Sequence, residues 1–197
     1  VAENIPGNEC RVTYGIRKDG ALTIHMEYEA DEKIKTHEMP EFGMLLRIPE
    51  QYDKVTYYGY GPEENYWDRR QGSRLGKFHF SVKENLSEYL APQESGGRSG
   101  VREAVIEDEN GYGLRISAEE MDLSALPYTP HELENARHLY ELPDSEYTIL
   151  RPSLHQMGVG GDDSWLSKPH PQYRMEQPGK YEFTFTLKGG KKLETDK

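Results

Sequence analysis

The stretch 154–166 concentrates residue types that are suited to binding chemistry. It holds three glycines, two aspartates, a serine and a tryptophan: Gly158, Gly160, Gly161, Asp162, Asp163, Ser164 and Trp165. Glycines at this density indicate a backbone that takes positive φ or that another group approaches closely. The aspartates can accept hydrogen bonds from their own backbone and stiffen a turn. Trp165 is then expected at the tip of a stiffened loop, where a flat apolar ring with a free indole N–H suits stacking on a sugar.

Simpler interpretations of the same stretch stay open. Trp165 can instead cover the edge of a core, and the aspartates can serve the turn alone. A calcium loop needs further oxygen ligands at regular spacing, and a phosphate loop needs Gly-Lys-Ser/Thr; the stretch has neither pattern.

Elsewhere, His131 and His138 could share a helix face, but they lack the third ligand that a zinc site requires. The sequence therefore predicts no metal site.

A second polar segment, 63–70, combines carboxylates with aromatic and basic residues. Glu63 and Glu64 are adjacent in sequence, whereas glycosidase chemistry needs two carboxylates that face each other across the scissile bond. We therefore predict no catalytic pair here. Asp68 and Arg69 are expected to pin the segment through a charge-assisted hydrogen bond.

Alternating apolar and polar residues predict strands that position these loops. The predicted strands cover a hairpin over 11–30 and the ranges 42–49, 54–60, 77–82, 101–106, 112–118, 147–151 and 180–187. Asp19-Gly20 and Asn110-Gly111 are typical of hairpin turns, and 92–100 is predicted to be a glycine-rich loop. Only one helix is expected: it begins with the capping box of Thr129 and Glu132 and runs towards Pro143. Many short strands and one helix indicate an antiparallel sandwich.

Bulk properties exclude several classes of protein. The 197 residues carry a net charge of −11, which disfavours nucleic-acid binding, and no apolar run is long enough to span a bilayer. The single Cys10 excludes an internal disulfide framework. No signal peptide is visible, so the localisation is left undetermined. We predict one domain over 1–187 and a polar tail over 188–197.

Four motifs in order resemble a known family. Residues 59–69, Gly-Tyr-Gly-Pro-Glu-Glu-Asn-Tyr-Trp-Asp-Arg, resemble the Gly-Pro-Gln-Glu-Asn-Tyr-Pro-Asp-Arg signature of the C-terminal domain of large bacterial β-galactosidases, in glycoside hydrolase family two. Residues 92–98, 126–134 and 157–165 look like its three further signatures, and the resemblance runs over 38–187. Trp67 stands where the family has proline. The chain resembles the later part of that domain.

This resemblance implies a large antiparallel β-sandwich of the galactose-mutarotase-like kind, a super-sandwich with one short helix. It implies that this segment has no catalytic residues and no cofactor. The nucleophile, the acid/base and the divalent and monovalent metal ions of the parent enzyme would lie on other domains. Trp165 would stack on the aglycone side of a galactoside, with Asp162, Asp163 and Ser164 as supports or weaker contacts. Its partners would be the galactoside, sister domains of the polypeptide and further copies in a homo-oligomer.

Two other functions are compatible with the sequence. A free-standing carbohydrate-binding module would need a second exposed aromatic ring, such as Trp67, near Trp165. An aldose epimerase would need a histidine and a carboxylate that face one sugar as acid and base. The candidate pairs are His155 with Asp162, and His79 with Glu94.

Overall fold

The computed structural model describes residues 8–31, 33, 37–163, 165–193 and 195. It contains strands β1 (Glu9–Ile16), β2 (Leu22–Glu29), β3 (Glu41–Gly43), β4 (Leu46–Pro49), β5 (Lys54–Gly61), β6 (Arg74–Ser81), β7 (Gly97–Glu107), β8 (Tyr112–Leu126), β9 (Tyr147–Gln156) and β10 (Lys180–Lys191). It also contains helix α1 (Pro130–Asn135) and 3-10 turns at Val82–Glu84, Leu139–Glu141 and Pro171–Tyr173. No helix in these ranges is long and apolar enough to cross a membrane.

In the described part of the chain, ten strands form one antiparallel sheet that forks at β8. The main path is β1-β2-β10-β8-β7-β5-β6. The first part of β8 pairs with β10, whereas its last residues, Asp122 to Leu126, pair with β9. Strands β3 and β4 then pair with β9. The prediction of an all-β fold with a large antiparallel sheet and one short helix is confirmed, and the two branches are joined through a shared strand.

The core lies between the two branches of the sheet. Phe42 on β3 packs its ring against Tyr28 on β2 and Tyr181 on β10, with centroids 6.1 and 5.9 Å away. Along β10, Phe183 and Phe185 are buried, as the alternating pattern predicts. Each such side chain contributes roughly 1.5–3 kcal/mol of burial free energy. Apolar contact thus holds the β9 branch over the main sheet.

Several strands extend beyond their predicted ends. Strand β7 begins at Gly97, inside the predicted loop 92–100, and β9 runs to Gln156. Strand β10 continues to Lys191, so the first four residues of the predicted tail are strand. In this extension Gly189 pairs with Leu114 and Gly190 pairs with Gly113. Ladder hydrogen bonds need only backbone groups, so paired strands can continue where side-chain alternation has ceased.

The predicted strand over 42–49 is two strands, β3 and β4, and β3 contains a bulge at Gly43. The register against β9 shifts between Phe42 and Gly43, as at a β-bulge. A Cβ on Gly43 would lie 2.4 Å from the Cβ of Ser153. This close approach requires glycine.

Helix α1 starts where predicted but ends earlier. The capping box is present, with the Glu132 amide donating to Thr129 Oγ1 at 3.2 Å and the Thr129 amide donating to Glu132 Oε2 at 2.7 Å. Leu133 is buried, whereas Leu139 and Tyr140 are exposed. A longer helix would have nothing to pack against on that face, and unsupported short helices are marginal in water.

Candidate functional site

The segment that carries Trp165 leaves β9 and is held at its root by three separate parts of the chain. The Met157 amide donates to the Pro40 carbonyl at 2.8 Å. The Gly158 amide donates to the Tyr173 carbonyl at 2.7 Å. The Gly160 amide donates to Asp68 Oδ2 at 2.8 Å.

None of the three glycines of this segment has positive φ, and two of them, Gly158 and Gly161, allow a close approach of other groups. A Cβ on Gly158 would lie 2.8 Å from Asp68 Oδ2, and a Cβ on Gly161 would lie 2.1 Å from the Ser167 carbonyl oxygen. Positive φ occurs instead at Leu166, at 74°. Of the two reasons offered for the glycines, the structure supports the need for space around the backbone.

Trp165 projects into solvent at the end of this segment. Its side chain is 86% exposed, and that of the neighbouring Leu166 is 98% exposed. Asp163 Oδ1 accepts a hydrogen bond from the Trp165 amide at 2.7 Å, which lowers the pKa of that carboxyl. The ring therefore does not cover an edge of the core, and Asp163 stabilises the turn beneath it as an Asx turn does.

The other predicted residues of the loop have separate positions. Asp162 Oδ1 lies 2.7 Å from Nε2 of His170, which follows the tip of the loop in sequence. Ser164 lies outside the described residues. Both aspartates therefore have partners within their own loop.

Trp67 is packed beneath the loop and is not a second exposed platform. Its ring stacks on His155, with centroids 4.2 Å apart and an interplanar angle of 16°. Its other contact is edge-on to Tyr173, at 5.6 Å and 72°. The two rings contacted by Trp67 flank the Trp165 segment on both sides, which gives Trp67 a packing role.

The acid/base pairs proposed for an epimerase are not brought together. His155 Nδ1 lies 3.5 Å from Asp122 Oδ2 and faces that carboxylate rather than Asp162. Glu94 Oε2 instead accepts from Arg151 Nη1 at 2.8 Å. His79 is placed on β6 opposite Thr56. The structure provides neither of the two predicted pairs.

The segment 63–70 is pinned differently from the prediction. Arg69 pairs with Glu64 rather than with its neighbour Asp68, which is directed at Gly160. Glu64 Oε2 also accepts from the Gly96 amide at 2.6 Å. Glu64 is thus engaged in holding two loops together.

A buried ionic cluster surrounds Arg151, in the middle of β9. The patterns in the sequence do not predict it. Arg151 Nη2 donates to Glu41 Oε2 at 2.8 Å, and its Nη1 donates to Glu94. The Arg151 side chain is only 5% exposed. Burial raises the pKa of Glu41, and attraction to Arg151 offsets this in part. Burial opposes the charge of Arg151, but the two carboxylates outweigh it and raise the pKa of Arg151.

Across the described ranges, no group of three or more His, Cys, Asp and Glu side chains is arranged to hold a metal ion. The signals that could have located the ionic cluster are single charged residues: Glu41 and Arg151 in strands, and Glu94 in the loop before β7. The pairing of β3 with β9 brings Glu41 to Arg151, and Glu94 reaches Arg151 from that loop.

Comparison with known proteins places these features in a family. The family described as "Beta galactosidase small chain" matches residues 1–187. A β-galactosidase of Priestia megaterium is 44% identical over 180 residues, which cover 91% of this chain and 17% of that protein. A β-galactosidase of Halalkalibacterium halodurans is 41% identical over 182 residues, which cover 91% of this chain and 18% of that protein. One from Streptococcus thermophilus is 38% identical over 181 residues, with 91% and 17% covered.

A solved structure of a galactose mutarotase related enzyme from Lactobacillus acidophilus aligns with a TM-score of 0.40 and 11% identity, covering 95% of this chain and 63% of that chain. The chain spans less than a fifth of the length of the β-galactosidases that it matches. The family match over 187 residues and these relatives show that the chain belongs to the β-galactosidase small-chain family.

Proposed function

We propose that this chain is the non-catalytic C-terminal domain of an enzyme that hydrolyses terminal β-galactosides, and that it completes the sugar pocket through Trp165. The observation that carries this proposal is the 86% exposed ring of Trp165 on a loop anchored at its root. An exposed apolar ring on a positioned loop is suited to stacking against the C–H face of a sugar. Its partners are then the galactoside and the sister domains of the polypeptide.

The chemistry of the described residues supports an accessory role. The carboxylates nearest Trp165 are used for loop geometry: Asp163 accepts from the Trp165 amide, and Asp162 pairs with His170. Retaining glycosidases need two opposed carboxyl groups about 5–5.5 Å apart. The nucleophile, the acid/base and the predicted metal ions are therefore proposed for other domains.

The first test is a titration of the chain with galactose and lactose, followed by tryptophan fluorescence. An accessory domain should show no saturable change up to high millimolar sugar, because one stacking ring gives weak affinity without further polar contacts. Saturable binding that disappears in Trp165→Ala would favour a free-standing carbohydrate-binding module. Binding that survives in Trp165→Ala would place the sugar site away from this loop.

The second test transfers the chain into a working enzyme. In the Priestia megaterium relative, this chain would replace the matching segment, and lactose hydrolysis would be measured. Loss of a stacked ring is expected to cost about 1.4 kcal/mol, or about tenfold in kcat/KM, in the Trp165→Ala chimera. Tyr140→Ala is the matched control, because Tyr140 is an aromatic side chain with similar exposure, 82%, in a different part of the chain. Equal activity of both variants would contradict the proposed role of Trp165.

A further inference from the structure

Asp68 contacts the Trp165 loop over more than one residue. Its Oδ2 accepts from the Gly160 amide at 2.8 Å, across 92 positions of sequence. The same oxygen would lie 2.8 Å from a Cβ on Gly158 and 3.6 Å from a Cβ on Gly160. The carboxylate is therefore packed along the loop backbone, and the absence of a side chain at Gly158 leaves room for it, whereas a Cβ on Gly160 would make only an ordinary contact.

Trp67, the residue before Asp68, contacts both flanks of the loop. It stacks on His155, near the end of β9 where the loop begins. It also meets Tyr173 edge-on, and the Tyr173 carbonyl accepts from the Gly158 amide. Trp67 and Asp68 thus lie between the end of β9 and the segment around Tyr173, and they contact the backbone of the loop.

Beyond Gly160, the hydrogen bonds that the described residues make near the tip are local in sequence. Asp163 bonds the Trp165 amide two residues away, and Asp162 lies against His170 eight residues away. After the tip, Lys168 pairs with Glu38 at 3.0 Å, with a lysine side chain that is 63% exposed. Exposed ion pairs hold little energy. The Gly160 amide is also exposed, but the Asp68 side chain that accepts from it is partly buried, and a hydrogen bond to a carboxylate is among the stronger kinds. Asp68 is accordingly the main polar anchor on the approach to Trp165.

We propose that Asp68 is a positioning residue for Trp165: its bond to the Gly160 amide sets where the tryptophan ring stands. This inference rests on the proposed function, because a fixed ring matters only if it meets a sugar. Pre-orientation of a binding group lowers the ordering cost of binding. The Asp68 contact would therefore contribute to sugar recognition without touching the sugar.

The experiment follows the loop itself, in the folded chain and without sugar. Exchange of the Gly160 amide and relaxation of the Trp165 indole N–H are measured by NMR in the wild type, Asp68→Ala and Asp68→Asn. The two indole signals of the chain are assigned with Trp165→Phe. Asp68→Ala should speed Gly160 exchange by about tenfold or more, because it removes a hydrogen bond to a charged group, and should increase the mobility of the Trp165 indole. Asp68→Asn retains an acceptor oxygen and should restore most of the wild-type behaviour.

Asp108→Ala is the matched control. Asp108 Oδ1 accepts from the Asn110 and Tyr112 amides at 2.8 and 2.9 Å in the β7–β8 turn. The Asp108→Ala variant should loosen the β7–β8 turn and leave the exchange of the Gly160 amide and the mobility of the Trp165 indole unchanged. Gly158→Ala provides a second route, because its Cβ would displace the loop from Asp68, and it should reproduce the effect of Asp68→Ala from the other side of the contact.

Unchanged Gly160 exchange and an unchanged Trp165 indole in folded Asp68→Ala or Gly158→Ala would overturn the inference. Failure of the proposed function has a different signature: Asp68→Ala would loosen the loop, while Trp165→Ala would leave hydrolysis by the chimera intact. If both proposals hold, Asp68→Ala in the chimera raises KM for lactose, and Asp68→Asn restores it.

Discussion

Arg151→Met should destabilise the chain strongly, because Arg151 is the shared counterion of two carboxylates. Its guanidinium donates to Glu41 and to Glu94, each at 2.8 Å. The arginine side chain is 5% exposed, and each glutamate side chain is 24% exposed. Methionine keeps much of the apolar stem but leaves two partly buried negative charges facing each other.

The size of the effect is set by this burial. Removing one partner of a buried ion pair costs about 3–5 kcal/mol. We expect the lower end, about 3 kcal/mol, because the two carboxylates retain some contact with water and can bind protons. For an m-value of about 2 kcal/mol per M, this cost lowers the urea midpoint by about 1.5 M. Equilibrium urea unfolding of the wild type and of Arg151→Met at neutral pH measures this loss of stability.

The triple variant Glu41→Gln, Glu94→Gln, Arg151→Met tests the electrostatic reasoning. Without the stranded charges, it should recover more than half of the lost stability. Arg11→Ala is the exposed control, since Arg11 and its partner Glu9 are 65% and 71% exposed, and it should change stability by about 0–1 kcal/mol. The reasoning fails if Arg151→Met loses less than about 1 kcal/mol, or if the triple variant is no more stable than Arg151→Met.

Two further predictions concern pH and the helix. Burial raises the pKa of Glu41 above its ordinary 4.5, so its contribution is fully present below that value and is lost as pH rises through the folded pKa. The free energy of unfolding of the wild type, relative to that of Glu41→Gln, should therefore decline as pH rises through the folded pKa of Glu41, and urea unfolding at a series of pH values measures this difference. If the difference instead grows in favour of the wild type as pH rises, the attraction to Arg151 outweighs burial. Thr129→Ala should cost about 1 kcal/mol because it removes the cap of α1, as measured by urea unfolding with the exposed Glu134→Ala as its control. Equal stability of these two helix variants would show that the cap contributes nothing.

Local patterns in the sequence were sufficient for the strands with clear alternation and for the turns between them. Tyr181, Phe183 and Phe185 alternate with polar residues, and period two reports directly which face of a strand is buried. The turn at Asp19-Gly20 has its glycine at φ 80°, and the capping box places the start of α1. These features depend on neighbours within a few positions, and such information is contained in any short stretch of sequence.

The four ordered motifs likewise indicate the family from the sequence alone. They did not determine what each residue contacts. The motif residue Asp68 was expected to pair with its neighbour Arg69, yet its carboxylate reaches Gly160. Trp67, which a free-standing binding module would have needed as a second exposed ring, stacks on His155. Side-chain direction at such loop positions follows from which distant segment lies against them.

Only the tertiary structure decided the fork of the sheet at β8 and the cluster around Arg151. The cluster joins residues separated by 110 and 57 positions. It forms because β3 pairs with β9 and because the loop before β7 brings Glu94 to Arg151. Strand ends such as Lys188–Lys191 were decided in the same way, since a backbone continues in a ladder wherever a neighbouring strand offers partners. Local turns fix the pairing of neighbouring strands such as β1 with β2, but pairing between strands that are far apart in sequence is a property of the assembled sheet.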